Sequence, residues 1–246
     1  MAKIGIYDSG IGGLTTLAKL IIQFEHCDFW FFADNANFPL GTRCESDLLG
    51  ITADTVHKMS KECDFLVLAC NTASSHTSDD LAIKLLPPLD GLNPQSTLVL
   101  ATPSTVCRLK LKENGFLTID TPELAADITK LYFTKDQKRL AMQKQIVDGL
   151  RQKLSDIPKP QTVVIGCSHY MFIADIVKKL CPDALILDGN SRIIERLKAV
   201  VTPTPRAGAV LFEFSGENRL SDYVEILEEL LNKEKERTFP KILPEN

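Results

Sequence analysis

The chain has 246 residues, of which 44% are hydrophobic and 24% are charged, as in an ordinary globular protein with a sizeable core. A net charge of −4 without a basic run argues against nucleic acid as a partner. No apolar stretch approaches the length of a membrane span and the start does not resemble a signal peptide, so no membrane partner is expected.

The first part of the chain alternates short apolar runs with segments of helical period. The runs predict strands at 3–7, 28–33 and 64–69, and the segments predict helices at 12–24, 46–62 and 78–86. This alternation is typical of a parallel sheet with helices on its faces. Prolines and a glycine within 87–96 then interrupt the pattern.

A second series of elements follows this break. Strands are predicted at 97–101, 162–166, 184–188 and 207–214, and helices near 104–114, 122–132, 136–155 and 221–233. The charged, proline-bearing tail 233–246 is expected to fray. Because "VLACNT" and "VIGCSH" stand at equivalent points of the two series, we expect two similar parallel-sheet α/β domains that face each other across a cleft.

The chain has seven cysteines, an odd number without a Cys-x-x-Cys pair. This pattern argues against a disulfide framework and favours a reducing cytoplasm. Five of the cysteines are interpreted as core or loop residues: Cys27, Cys44, Cys63, Cys107 and Cys181.

Polar side chains follow three of the predicted strands directly, and two of these groups begin with the remaining cysteines. The groups are Asp8-Ser9, Cys70-Asn71-Thr72 and Cys167-Ser168-His169. Residues just beyond the carboxyl ends of parallel strands line the ligand crevice of such sheets. Each residue alone is more often a helix cap or a core residue, but the joint placement predicts a functional site.

Several chemistries fit parts of this pattern. "DSGIGGL" resembles a dinucleotide fingerprint with Asp34 as its acid, but Thr15 stands where the third glycine belongs, so a tight anion-binding turn is preferred. Cys70, Cys167 and His169 could bind zinc if they converge, although their spacing matches no known zinc motif. A Cys–His hydrolase would leave the second thiol unused.

Proton exchange at a carbon approached from both faces uses two thiols, an acid and a histidine together. One thiolate removes the proton and a thiol on the opposite face delivers another, which inverts the configuration. A free cysteine has a pKa of about 8.5, so neighbours must assist it at neutral pH. Asp8 and His169 are the candidate assistants, and Ser9, Asn71 and Thr72 are among the groups that could hold a carboxylate.

The segments "DSGIGGL", "ACNTASS" and "GCSHY" resemble the three signatures of glutamate racemase, a family of the cofactor-independent aspartate/glutamate racemase superfamily. "ADNANFPLGTR", "ATPSTV" and "FEFSGE" resemble further segments of that family. The resemblance runs from residue 3 to about 230, with a weak middle.

The resemblance implies an amino-acid racemase that acts on glutamate without pyridoxal phosphate or a metal. It implies that Cys70 acts on the D-isomer and Cys167 on the L-isomer, with assistance from Asp8 and His169. The positions where the family contacts substrate are Ser9, Leu40, Gly41, Asn71, Thr72, Thr105 and Ser168.

The resemblance also implies a domain division and a biological setting. One domain would combine residues 1–92 with 189–246, and the other would comprise 93–188. Such enzymes supply D-glutamate for cell-wall peptidoglycan, and many are homodimers.

The chain departs from the family at several positions. Leu40 replaces a tyrosine, Ser168 a threonine and Met171 a proline. Ala125 stands where a glutamate is usual, and the segment 91–97 is too short for a helix that members carry. A racemase of aspartate or a related acid, or a ligand-binding or regulatory protein with the same fold, therefore remains an alternative, and a nicotinamide oxidoreductase ranks third.

Overall fold

The fold was obtained as a computed structural model, which describes residues 2–78, 80–205 and 207–238. The strands are β1 (Lys3–Asp8), β2 (Asp28–Ala33), β3 (Phe65–Leu68), β4 (Ala82–Lys84), β5 (Thr97–Ala101), β6 (Leu117–Thr118), β7 (Thr162–Gly166), β8 (Leu185–Asp188) and β9 (Val210–Phe214). The α-helices are α1 (Leu14–Gln23), α2 (Glu45–Met59), α3 (Asn71–His76), α4 (Pro103–Arg108), α5 (Leu124–Phe133), α6 (Lys138–Ser155), α7 (Ala174–Leu180), α8 (Asn190–Lys198) and α9 (Leu220–Thr238).

The strands form two parallel sheets, in agreement with the predicted α/β class. One sheet has five strands in the order β4-β3-β1-β2-β9, and the other has four in the order β6-β5-β7-β8. Every strand pairing within the sheets is parallel. The central strands are continuous apolar runs because helices cover both of their faces.

Each sheet contributes its own apolar cores. In the five-stranded sheet, one face packs on α1, α8 and α9, and the opposite face packs on α2. In the four-stranded sheet, the main core lies between β5, β7 and helices α5, α6 and α7. The carboxyl ends of β1 and β3 meet those of β5 and β7 where the two sheets approach each other, and this junction is where the sequence predicted a site.

The predicted helix over 78–86 is wrong. Residues Ala82–Lys84 form β4, which pairs with β3 and covers an otherwise open sheet edge. The segment offers only one short apolar cluster before Pro87 and Pro88, so sheet pairing outweighs the helix propensity of its Ala, Leu and Lys residues.

Other predicted boundaries shift by smaller amounts. The helix predicted near 104–114 ends at Arg108, because Lys110 and Gly115 adopt positive φ angles of 49° and 80° that no α-helix tolerates. The strand predicted at 207–214 begins at Val210. Helix α9 runs to Thr238, into the tail that was expected to fray, and residues 239–246 lie outside the described part of the chain.

The segment before β5 contains only a short 3-10 turn at Pro94–Ser96, as its length predicted. Among the residues that the structure describes, no helix is both long enough and apolar enough to cross a membrane.

Candidate active site

The residues singled out from the sequence come together between the two sheets. Asp8 ends β1, Cys70 caps the start of α3 after β3, and Cys167 follows β7. Their relative exposures are 0%, 5% and 5%, and His169 is 2% exposed. The site is therefore closed in this structure.

The glycine-rich loop after β1 does bind an anion, but the anion is the chain's own carboxylate. The N–H group of Gly10 donates to Asp8 Oδ1 at 2.7 Å, and the N–H group of Gly13 is also hydrogen-bonded to Asp8. The Ser168 hydroxyl, from the other half of the molecule, donates to Asp8 Oδ2 at 2.8 Å. A dinucleotide pyrophosphate would need the same N–H groups, which are already bonded to Asp8. The geometry therefore does not support a dinucleotide site at this loop.

The same loop needs its glycines because the second half packs directly on it. A Cβ atom at Gly12 would lie 2.3 Å from the Ser168 hydroxyl oxygen and 2.6 Å from Nδ1 of His169. Such distances are far below contact distance, and only a residue without a side chain permits this approach.

Burial controls the charge state of Asp8. Removal from water raises its pKa from the ordinary value of 3.8 to about 7, although hydrogen bonds from Gly10, Ser168 and Gly13 oppose the shift. The carboxyl group thus titrates near neutral pH, where it can both take up and release a proton.

The thiol of Cys70 is held in its protonated form. Burial, and next the negative charge of Asp8, raise the pKa of Cys70 to about 12. The N–H groups of Ala73 and Thr72 and the hydroxyl of Ser9, whose oxygen lies 3.6 Å from the sulfur, favour the thiolate. Hydrogen-bond donors therefore stabilise a thiolate at Cys70, whereas burial and an ionised Asp8 destabilise it.

The thiol of Cys167 lies in a matching environment. Burial, and next a negative charge on Cys70, raise its pKa well above the ordinary value, while the N–H groups of His169 and Tyr170 favour the thiolate. The mutual effect of the two sulfurs means that ionising one disfavours ionising the other. The pair is thus suited to a state with one thiolate and one thiol.

His169 is a neutral imidazole in this environment. Burial lowers its pKa from 6.5 to about 3. Its Nδ1 lies 3.5 Å from the Ser168 hydroxyl oxygen, and its buried Nε2 has no hydrogen-bond partner among the described residues. The ring of Phe38 stacks on it at 5.0 Å. A nitrogen in this position can accept a proton or a hydrogen bond from a group that enters the site.

Three threonine hydroxyls form a cluster that joins the two halves. The oxygen of Thr72 lies 2.9 Å from that of Thr102 and 3.3 Å from that of Thr105, and the last two are 3.0 Å apart. Gly41 packs on this cluster, since a Cβ there would lie 2.5 Å from the Thr102 side chain. The hydroxyls can exchange partners when a polar ligand arrives.

Two further predicted residues differ in character. The side chain of Asn71 donates to Leu85 O at 2.9 Å, and its buried Oδ1 has no partner among the described residues. Leu40 is 1% exposed and packs in an apolar cluster with Tyr7 and Cys70. Leu40 therefore shapes the wall behind the thiol and offers no polar contact.

Sequence reasoning missed two residues of the site, Phe38 and Thr102. Thr102 directly follows β5, so the strand-end rule that selected Asp8, Cys70 and Cys167 would also have found it. Phe38 carries no such signal, because its contact with His169 exists only after the two halves meet.

The zinc interpretation requires three converging ligands. Within residues 2–78, 80–205 and 207–238, no group of three or more Cys, His, Asp or Glu side chains is arranged to hold a metal ion. Cys70, Cys167 and His169 therefore do not form the ligand set that this interpretation requires.

No family model matches the chain, but its similar curated relatives carry the same name. The glutamate racemase of Halothermothrix orenii is 30% identical, and the match covers 93% of this chain and all of that protein. The glutamate racemase of Leptospira interrogans serogroup Icterohaemorrhagiae serovar copenhageni is 31% identical, with 96% and 94% of the two chains covered.

Solved structures share the fold. Glutamate racemase from Francisella tularensis, in complex with D-glutamate, superposes with a TM-score of 0.70 at 21% identity and covers 94% of each chain. Glutamate racemase from Escherichia coli, in complex with L-glutamate and the activator UDP-MurNAc-ala, gives 0.72 at 19% identity, with 93% and 95% covered.

The fold and the site define a two-domain α/β enzyme with buried thiols between two parallel sheets. Sequence identity of 30–31% over nearly the whole chain shows the enzyme family to which the chain belongs. The chain belongs to the glutamate racemase family, whose members are isomerases.

Proposed function

We propose that this protein interconverts L- and D-glutamate without a cofactor, by proton abstraction at one cysteine and proton donation at another. One observation carries the proposal: Cys70 and Cys167, one from each half, are both buried, and burial and the negative charge of Asp8 raise the pKa of both thiols. Cys70 acts on the D-isomer and Cys167 on the L-isomer, in accordance with the family resemblance.

The proposed role of Asp8 follows from its titration near neutral pH. An ionised Asp8 raises the pKa of Cys70, so Cys70 ionises most readily when its proton passes to Asp8 and the total charge stays the same. The hydrogen bond from Ser168 holds the carboxyl group for this transfer. The positive ammonium group of a bound amino acid would further favour the thiolate.

His169 is the matching assistant of Cys167. Its neutral ring, whose buried Nε2 has no hydrogen-bond partner in the part of the chain that the structure describes, can share the proton of an acidic group nearby. Stacking on Phe38 fixes the plane of the ring, which keeps the nitrogen in one orientation.

Substrate contacts are proposed from groups with spare hydrogen-bonding capacity. The Oδ1 of Asn71, which has no partner among the described residues, is an acceptor for an ammonium group, and the hydroxyls of Ser9, Thr72 and Thr105 are donors for carboxylates. The hydroxyl proton of Ser168 goes to Asp8, so Ser168 contributes its oxygen as an acceptor. Gly41 and Leu40 complete the wall by shape. The ligands of the F. tularensis and E. coli enzymes, D-glutamate and L-glutamate, support glutamate as the substrate.

Domain division and setting are part of the proposal. We assign residues 1–92 and 189–246 to one domain and 93–188 to the other, which is supported by the distribution of strands between the sheets. The product would serve peptidoglycan synthesis, as the family resemblance implies. Free thiols in all seven cysteines support a reducing, cytoplasmic setting, and a homodimer is expected from the resemblance.

The test is incubation of the purified protein with L-glutamate, and separately with L-aspartate, with no added cofactor. We expect the circular dichroism signal of L-glutamate to decay to zero as the racemic mixture forms, with a much slower decay for aspartate.

The alternatives give different results. A faster loss of the aspartate signal would assign the enzyme to aspartate or a related acid. Stabilisation of the protein by glutamate without any loss of signal would indicate a binding or regulatory protein.

A further inference from the structure

A second cavity lies outside the buried site, at the rim where the two halves meet. Its volume is about 440 Å³. One side is formed by the segment after β2, with Gly41, Arg43 and Glu45, and the other by α4 and the turn after it, with Arg108 and Lys110. We refer to this cavity as the vestibule.

The vestibule is strongly cationic in a chain of net negative charge. Arg43, Arg108 and Lys110 face it, and Glu45 is the one carboxylate among its lining residues. Glu45 is already paired with Arg108 at 2.7 Å. The remaining positive charge lies in a concave surface, where fields are concentrated.

Two of these cations are available to a ligand. Among the residues that the structure describes, the hydrogen bond of the Arg43 guanidinium is made by Nε to Asn37 O at 2.9 Å, which leaves its terminal nitrogens open. The Lys110 ammonium forms no hydrogen bond or ion pair within residues 2–78, 80–205 and 207–238. Lys110 also adopts a φ angle of 49°, an unfavourable conformation for a residue with a long side chain.

The floor of the vestibule is the back of the threonine cluster. Gly41 lines the vestibule and packs on Thr102. His76 lines it as well, and its Nδ1 lies 2.8 Å from Thr72 O. A ligand in the vestibule is thus separated from the hydroxyls of the site by a single layer of residues.

The lining residues come from both halves, so separation of the halves would open this floor. The Arg108–Glu45 ion pair bridges the rim, and its side chains are 41% and 58% exposed. An exposed pair of this kind contributes little to stability, so it can open during turnover.

We propose that the vestibule is the entrance of the enzyme and that Arg43 and Lys110 capture the dicarboxylate substrate before it enters the closed site. This inference rests on the proposed function, since glutamate carries two carboxylates and one ammonium group. The cations raise the local concentration of the anionic substrate and are not consumed in the proton transfers.

The first test measures the vestibule without turnover, through the exposed thiol of Cys107, which also lines it. In a Cys44→Ser background, the rate of Cys107 modification is measured with the dianion 5,5′-dithiobis(2-nitrobenzoate) and with neutral 4,4′-dithiodipyridine. We expect Arg43→Gln with Lys110→Gln to lower the ratio of the two rates about tenfold at low salt, and the difference to vanish at high salt. Glutarate should slow both reagents in the background protein only.

The matched control is Lys144→Gln with Lys153→Gln, which removes the same charge from exposed positions on α6. An equal ratio in the two double variants, or no effect of glutarate, would overturn the proposal. Because this readout needs no racemisation, a chain that failed to racemise glutamate would contradict the proposed function and leave the vestibule testable.

The second test is kinetic. The Arg43 and Lys110 double variant should lower kcat/KM for glutamate about tenfold at low salt, mainly through KM, and flatten its salt dependence. If kcat/KM and its salt dependence match those of the Lys144 and Lys153 control, the substrate enters elsewhere.

Discussion

At the scale of single residues, the site depends on burial that is tuned by a few hydrogen bonds. Burial raises the pKa of Asp8 to about 7 and lowers the pKa of His169 to about 3, so the two side chains respond to acid in opposite ways. Both residues were identified from the sequence because they follow strand ends. Their charge states could not be predicted in the same way, since these depend on the closure of one half on the other.

The opposite shifts predict opposite effects on stability. The folded-state pKa of Asp8 is raised, so its contribution is fully present below about 3.8 and is lost as pH rises towards 7, on the order of 4 kcal/mol in total. The folded-state pKa of His169 is lowered, so its contribution is present above about 6.5 and is lost as pH falls towards 3. Between about pH 4 and 6.5 the two terms oppose each other.

Single substitutions should separate the two terms. Relative to the unmodified protein, we expect Asp8→Asn to lose stability as pH falls from about 7 to about 4, and His169→Asn to gain stability over the same range. Urea unfolding across this interval measures both. Differences that do not change with pH would contradict the assigned charge states.

The thiols should be individually essential. A serine hydroxyl is a much weaker acid than a thiol, so Cys70→Ser and Cys167→Ser should each lower kcat by about 10²–10⁴-fold. Cys181→Ser, also a buried cysteine, is the control and should keep its turnover. Near-normal racemisation in either site variant would remove that cysteine from the mechanism.

Leu40 tests how the pocket wall differs from that of the family. Because its side chain is fully buried in the apolar cluster that includes Tyr7 and Cys70, the larger tyrosine should overpack this region, and Leu40→Tyr should destabilise the fold by about 1–3 kcal/mol without improving kcat/KM. Leu40→Met, of similar volume, should be close to neutral. A gain in kcat/KM for glutamate in Leu40→Tyr would show that the family hydroxyl still has a place.

At the scale of elements, strands with continuous apolar runs were predicted well, because burial on both faces of a parallel sheet leaves a strong signal. The short strand β4 was predicted as a helix, and the two-residue strand β6 and the short helices α3, α7 and α8 were not predicted. These elements are defined by their neighbours: β4 by pairing with β3, and α3 by its place after Cys70. Local propensity carries little information about such segments.

The loop after β1 makes an element-scale prediction. An alanine at position 12 would place its Cβ 2.3 Å from the Ser168 hydroxyl, so Gly12→Ala should hold the two halves apart and break the bond from Ser168 to Asp8. We expect the Gly12→Ala variant to remain folded but to have a strongly reduced kcat. Gly50→Ala, in α2 with no heavy atom within 4 Å of the added Cβ, is the control and should be active and slightly more stable. Full activity in Gly12→Ala would mean that catalysis does not need this contact.

At the scale of the whole molecule, the two sheets bring one thiol each to a shared buried site, and the cationic vestibule lies at the rim where they meet. The fold class could be predicted from the sequence, and so could the placement of Cys70, Cys167, Asp8 and His169 at strand ends where the two sheets meet. The contacts that join the halves, such as Phe38 on His169 and Thr102 with Thr72, could not, because they connect residues far apart in the chain.

The central claim is that two bases act on opposite faces of one carbon, and solvent deuterium tests it most directly. The purified protein is given L-glutamate in deuterium oxide, and deuterium at the α-carbon is measured early in the reaction in both enantiomers. With two thiols, the D-glutamate formed should carry deuterium while the remaining L-glutamate keeps its proton, since the abstracting thiol returns what it removed. Early deuterium in both enantiomers to the same extent would mean a single exchanging base and would contradict the two-cysteine account.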